Sequence, residues 1–111
     1  MIRARTVLKA DVFYYLKKGR ESAVKGSELA EILYLKNDRE IRLIIRELIA
    51  EGVPIASSVY PPYGYYIVKT KEEAEDYLRV LKSRLVQDAY RRRDFKRAAR
   101  AILEPEQMEL L

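Results

Sequence analysis

Residues 37–68, NDREIRLIIRELIAEGVPIASSVYPPYGYYIV, decide how this chain folds. At about 100° per residue, Ile41, Ile44, Ile45 and Leu48 fall together on one side of a helix. Arg39, Arg42, Leu43 and Arg46 fall on the opposite side. This predicts a two-faced helix capped by Asn37 or Asp38 and running to Glu51, about 21 Å long at a rise of about 1.5 Å per residue. Gly52 stops it, and Pro54 reinforces the stop. Residues 54–60 and 65–68 then read as two short strands. The turn between them is Tyr60-Pro61-Pro62-Tyr63-Gly64, where Gly64 is free to take positive φ and the prolines stiffen the approach.

Two helices are expected upstream. Residues 6–18 carry Leu8, Val12 and Tyr15 on one face, widened by Phe13 and Leu16, and Gly19 with Arg20 ends the helix. A connector follows over residues 21–25, with room for a single strand through Ala23 and Val24. Residues 27–35 read as a short second helix with Leu29, Ala30 and Leu33 at helical spacing and a cap at Lys25 or Ser27. Downstream of the hairpin, residues 70–73, Thr-Lys-Glu-Glu, form a capping box that opens a last helix. That helix can continue to Leu103, about 50 Å if unbroken. Glu104 and Pro105 end it.

The expected class is α+β, mainly helical with a small hairpin. Its parts are residues 1–69, a helix over residues 70–103 for packing and dimerisation, and an acidic tail over residues 104–111. The chain has 111 residues, of which 49% are apolar, enough for one core. It lacks cysteine and histidine, which excludes disulfides, thiolate metal sites and histidine-based catalysis. The start is too short and polar for a signal peptide, and no apolar run approaches a membrane span. A cytoplasmic protein is expected, in the host cytoplasm if phage-encoded. High charge with few amides resembles thermophile composition.

The net charge of +5 is a prior for a polyanionic partner. Its distribution is sharper. Residues 79–100 hold nine basic and two acidic residues, whereas Glu104, Glu106 and Glu109 make the end acidic.

Three helices followed by a hairpin is winged-helix order. SELAEILYLKNDREIRLIIRELIAEGVPI, followed by GYYIV, resembles the winged helix–turn–helix domains of bacterial and phage regulators, with the biotin-repressor-like and DeoR-like pattern. The resemblance covers about residues 8–69. EEAEDYLRVLKSRL after the wing is similar to small stand-alone phage members of that class. The resemblance implies a winged helix–turn–helix fold whose third helix enters the major groove of double-stranded DNA. No ligase, sugar-phosphate or metal-sensing domain follows in this sequence, so those effector functions do not transfer.

Four constellations follow. Arg39, Arg42 and Arg46 project together, able to bond guanine edges or phosphates. Leu43 lies among them where the family pattern carries a polar residue. It suits a thymine methyl or a protein contact. At the hairpin tip, Tyr60 and Tyr63 have hydroxyls for phosphates and rings for unpaired bases; they equally serve to rigidify a short turn. On the last helix, Arg79, Lys82, Arg93, Arg97 and Arg100 share an arc of about 60°. With Arg91 they suit phosphate contacts, against a plain solubilising role. The same helix carries an apolar stripe (Ala74, Tyr77, Leu78, Leu81, Leu85, Ala89, Phe95, Ala99, Ile102 and Leu103), which is expected to pack on the domain in its first half and on a second copy in its second.

The fourth constellation is the tail. Gln107, Met108, Leu110 and Leu111 resemble the short sliding-clamp-binding peptide of bacterial replication proteins, or an amphipathic tail folding back on its own helix. Glu72, Glu73, Glu75 and Asp76 at a helix start complement the helix dipole rather than suggest catalysis. No catalytic, cofactor or metal residues are expected. Three functions remain open: a double-strand DNA binder for transcription or replication origins; a protein-interaction module on the same scaffold, as a replisome accessory or phage inhibitor of a host machine; and a single-strand nucleic-acid binder.

Overall fold

The computed structural model describes residues 4–104. Five helices and one hairpin occur in them: α1 (Arg5–Tyr15), α2 (Gly26–Ile32), α3 (Arg39–Ala50), β1 (Ile55–Ser58), β2 (Gly64–Ile67), α4 (Lys71–Ala98) and α5 (Arg100–Leu103), with a 3-10 turn at Arg20–Ser22. This is the α+β class the pattern predicts: helical, with a two-stranded antiparallel hairpin and a long C-terminal helix.

The chain divides into two compact units at Tyr77 and Leu78. The break falls inside α4, later than the hairpin end at residue 69 where the sequence suggested it. The first turn of α4 belongs to the first unit because Glu73 is bonded into it: one carboxylate oxygen accepts the Arg20 N–H at 2.9 Å and the other the Lys69 N–H at 2.8 Å. Thr70 Oγ1 in turn accepts the Glu73 N–H at 3.1 Å. The expected Thr–Glu box is therefore present, with its carboxylate reaching Lys69 and Arg20.

The core of the first unit joins Leu8, Val12 and Leu16 of the α1 region, Leu29, Ala30 and Leu33 of the α2 region, the four aliphatics of α3, and Ile55. Ile41 and Ile44 are fully buried. Truncating such a residue to alanine costs about 2–5 kcal/mol. The predicted inner face of α1 is corrected in one respect. Leu16, spaced four from Val12, is buried, whereas Tyr15 and Phe13 are exposed. The helix also ends three residues earlier than expected, at Tyr15, because Lys17 and Gly19 instead pair with β2. The Ile67 N–H donates to the Lys17 carbonyl at 2.8 Å, and the Gly19 N–H donates to Ile67 at 2.9 Å.

The hairpin register pairs Ile55 with Ile67 and Ala56 with Tyr66. Alternation puts Tyr65 and Ile67 against the core. Tyr66 and Ala56 point the other way, yet both are buried. The tyrosine stands beside Arg20, Glu73 and Tyr77, and burial raises its pKa. Both faces of this small sheet are thus covered. A third backbone segment joins the sheet through Val24, which exchanges hydrogen bonds with Tyr65 at 2.9 and 2.7 Å. The strand anticipated at Ala23 and Val24 is one antiparallel bridge.

In the second unit, α4 runs unbroken through Gln87 and Asp88 to Ala98, and α5 follows after a turn at Ala99. The 28 residues of α4 span about 42 Å. No residue from 78 to 104 is buried. The expectation that the first half of the apolar stripe packs on the domain is corrected in part: Ala74 and Tyr77 are half-buried within the first unit, whereas Leu78, Leu81 and Leu85 are exposed.

Candidate nucleic-acid interface

Helix α3 has three faces where the sequence pattern suggested two. Ile41, Ile44, Ile45 and Leu48 form the buried one. Arg39, Arg42, Leu43 and Arg46 are exposed on another, as expected. The third is acidic and is tied to α1. Arg5 pairs with Glu40, and its Nη2 donates to Glu47 at 2.6 Å. Lys9 Nζ lies 2.6 Å from Glu51 and 3.6 Å from Glu47. The Arg5 hydrogen bond holds the Glu47 carboxyl below the usual carboxylate range and raises the pKa of Arg5, while the hydrogen bond to Glu51 raises that of Lys9. The signal for this ladder was present in the sequence. Glu40, Glu47 and Glu51 share one sector of the helix, and Arg5 and Lys9 are spaced four apart on α1.

The consequence is electrostatic. The acids of α3 are engaged by cations of α1, so the arginine face keeps most of its charge. Among the described residues, Arg42 alone of the three pairs with an acid, Asp38 Oδ1 at 3.7 Å. That pair is exposed and screened, a weak competitor for a phosphate or a guanine edge. Leu43 sits among the arginines at 39% exposure.

The turn before α3 sets where this face points. Asn37, rather than Asp38, supplies the side-chain bond at the start of α3: its Oδ1 accepts the Arg39 N–H at 3.0 Å. Helix α2 ends with the Leu35 N–H on the Ala30 carbonyl at 2.8 Å and the Tyr34 N–H on Glu31 at 3.2 Å. That is a Schellman stop, whose left-handed position normally holds glycine. Here it holds Tyr34, at φ 59°, with its side chain 91% exposed. Sequence reasoning missed this residue because nothing between Leu33 and Leu35 marks a turn. Gly26 at the other end of α2 is packed beneath Tyr65 and beside Asp38, which fixes the start of α2 against the start of α3.

At the hairpin tip, Tyr60 and Tyr63 are 67% and 50% exposed, as their lack of a core role suggested. Ser58 Oγ bonds the backbone of Tyr60 and rigidifies the turn locally.

In the second unit, Arg79, Lys82, Arg91, Arg93, Arg97 and Arg100 are all exposed. The structure gathers part of the predicted arc and adds to it. Arg93, Arg97 and Arg100 line one open groove with Arg92 and Lys96, which the sequence reading treated as interruptions of the apolar stripe. Arg79 and Lys82 lie two or more turns earlier on α4. Some cations of the group have local partners. Arg93 stacks over Tyr90 at 4.9 Å and bonds Asp94 at 3.2 Å, and Arg100 Nε lies 3.9 Å from Glu104. The tail residues Gln107, Met108, Leu110 and Leu111 lie outside the described residues.

Among the described residues there is no carboxylate cluster able to hold a metal, and no helix is long and apolar enough to cross a membrane. No protein-family model, curated protein or solved structure matches this chain.

Proposed function

We propose that the chain is a double-stranded DNA-binding protein of winged helix–turn–helix type, acting in transcription regulation or at a replication origin. The observation that carries this reading is the arginine face of α3. Arg39, Arg42 and Arg46 are exposed on the helix that follows a short turn, and the neighbouring acids are engaged by α1. In this reading α3 reads base edges, the tyrosines of the hairpin tip touch the backbone, and Arg79, Lys82, Arg91, Arg93, Arg97 and Arg100 add phosphate contacts. A second copy of the chain is the expected partner of the exposed stripe on α4.

Gel shifts across genomic fragments at several salt concentrations test it. One fragment should bind at least tenfold more tightly than the rest, and affinity should fall steeply with salt. Absence of binding at low salt rejects the proposal. Equal binding to every fragment rejects sequence direction.

One observation favours a second reading, a protein-interaction module on the same scaffold. Leu43 is an exposed aliphatic in the centre of the proposed contact face, and Ile32 on the preceding helix is exposed as well. A pull-down with the full chain and with a chain lacking residues 105–111 tests this, including the sliding clamp as bait. Binding to single strands through Tyr60 and Tyr63 is separated by competition between single- and double-stranded DNA.

A further inference from the structure

We propose that α4 pairs with α4 of a second copy of this chain in antiparallel register, each residue i of the span 82–98 facing residue 180 − i of the partner subunit. The inference deepens the dimer part of the reading above and does not depend on DNA binding.

It starts from spacing. Leu78, Leu81, Leu85, Asp88, Arg92, Phe95, Ala99 and Ile102 recur at alternating steps of three and four. That is the seam of a two-helix coil, in which such positions face the partner helix. Every one of them from Leu78 to Phe95 lies on unbroken α4, and the apolar ones are open: Leu85 and Phe95 are each 71% exposed. A stripe of this length on one helix face is an association surface.

Asp88 and Arg92 decide the occupant and its direction. In a parallel pair Asp88 would face Asp88 of the partner subunit and Arg92 would face Arg92 of the partner subunit, two like-charge layers in the middle of the seam. Antiparallel pairing about residue 90 sets each Asp88 against Arg92 of the partner subunit, twice by symmetry. The same register sets Leu85 against Phe95 of the partner subunit and brings Leu81 and Leu78 towards the partner's Ala99 and the partner's Ile102, which follow the turn that ends α4. Sliding one helix by seven residues instead sets Leu81 against Arg92 and Leu85 against Asp88, which buries charge against hydrocarbon. Only one register therefore matches apolar with apolar and acid with base. A polar pair within a seam adds little stability but selects orientation. Among the described residues neither Asp88 nor Arg92 has an ion-pair partner within the chain, so both are available.

Of the cations lining the groove, Arg92 enters the seam and the others stay outside it. Arg93, Arg97 and Arg100 project from other faces, so pairing leaves them open to phosphate. Lys82 and Lys96 flank the seam and approach each other across it, so exposed like charges oppose pairing at low salt. Salt screens those exposed pairs more than the enclosed Asp88–Arg92 pairs, and dimerisation should strengthen with salt while DNA binding weakens.

The chain contains no cysteine, so single spin-label sites can be introduced cleanly. Labels at Ser83→Cys, Tyr90→Cys and Arg97→Cys share one outer face of the helix. Sedimentation of the full chain should give twice its 13.0 kDa mass. Interspin distance should be shortest at position 90 and longer at both 83 and 97, where antiparallel labels are offset by roughly 21 Å along the axis. Asp88→Arg and Arg92→Asp should each weaken dimerisation at least tenfold, and the double exchange should restore it. Circular dichroism of each variant checks that the helix is intact; these sites are exposed, so the core is untouched. A monomer at 100 µM (an order-of-magnitude ceiling well above typical micromolar affinities) overturns the proposal. So do equal distances at all three sites or a minimum at another position. Loss of DNA binding with the antiparallel pattern intact leaves this inference standing and rejects only the function above.

Discussion

A β-carbon on Gly64 would lie 2.2 Å from the carbonyl carbon of Val24. The two residues meet because the connector between α1 and α2 crosses the start of β2, where Val24 and Tyr65 exchange backbone hydrogen bonds. Gly64 also has φ 130°, a conformation open to glycine and strained for other residues. The Gly64→Ala variant therefore combines a backbone clash with dihedral strain. Those terms are about 1–3 kcal/mol each. We expect a loss of about 3–5 kcal/mol in urea unfolding, large against the usual margin of about 5–15 kcal/mol. A loss under 1 kcal/mol would show that Val24 does not approach the hairpin this closely.

Tyr34 offers the opposite prediction. Its φ of 59° costs a non-glycine residue about 1–2 kcal/mol, and its exposed ring gains little from burial in return. Tyr34→Gly removes that strain but adds about 0.4–1 kcal/mol of unfolded-state entropy. A net gain of roughly 0.5–1 kcal/mol is expected in thermal or urea unfolding. If the variant is also impaired in binding DNA, the exposed ring acts at the contact surface and the strain is retained for it.

Glu73 gives a pH dependence. Its carboxylate accepts the N–H groups of Arg20 and Lys69, and these hydrogen bonds hold its pKa below the ordinary value of 4.5. A depressed folded-state pKa contributes stability that is fully present above the unfolded pKa and is lost as pH falls through the folded one. The contribution should therefore be present at neutral pH and vanish below the usual carboxylate range. Glu73→Gln should lose about 1 kcal/mol at pH 7, in the range of a helix-cap deletion, and the gap to the parent should close in acid. Urea titrations from pH 2 to pH 7 measure both curves (the span covers the ordinary carboxylate range). A gap that stays constant with pH would assign Glu73 a packing role only.

The fold was legible where side-chain period and backbone punctuation agreed. Ile41, Ile44, Ile45 and Leu48 repeat at helical spacing and are buried, and Gly52 and Gly64 stand where positive φ is used. What stayed hidden depended on partners distant in sequence. Helix α1 stops at Tyr15 because Lys17 and Gly19 bond to Ile67, about fifty residues on by simple subtraction, and no local propensity carries that information. Tyr34 was hidden because its left-handed turn lacks the glycine that would advertise it. The stripe on α4 was read correctly as a helix face, but periodicity alone does not say whether such a face meets its own domain or another chain. Of the candidate site, the arginines of α3 were visible, while the acid–base ladder that keeps them uncompensated needed α1 placed beside α3.

Arg42 and Arg97 separate two kinds of DNA contact. Arg42 lies on the α3 face assigned to base edges, with Asp38 Oδ1 3.7 Å away. Arg97 lies in the cationic groove of the second unit with Arg93 and Arg100. A base-edge contact is worth about 1–3 kcal/mol and belongs to one base, whereas a phosphate contact is blind to sequence. Arg42→Ala should therefore weaken the preferred fragment by roughly 5- to 150-fold, with a much smaller effect on unrelated fragments. Arg97→Ala should weaken all fragments alike and reduce the slope of log affinity against log salt by about 1. Arg5→Ala adds a control that touches no DNA in this reading. It releases Glu40 and Glu47 beside the arginine face, so affinity should fall for every sequence and recover partly with Glu47→Gln. Anisotropy titrations of one preferred and one unrelated duplex at four salt concentrations measure all three. If Arg42→Ala and Arg97→Ala weaken both duplexes equally, α3 is a backbone contact and sequence is not read through it.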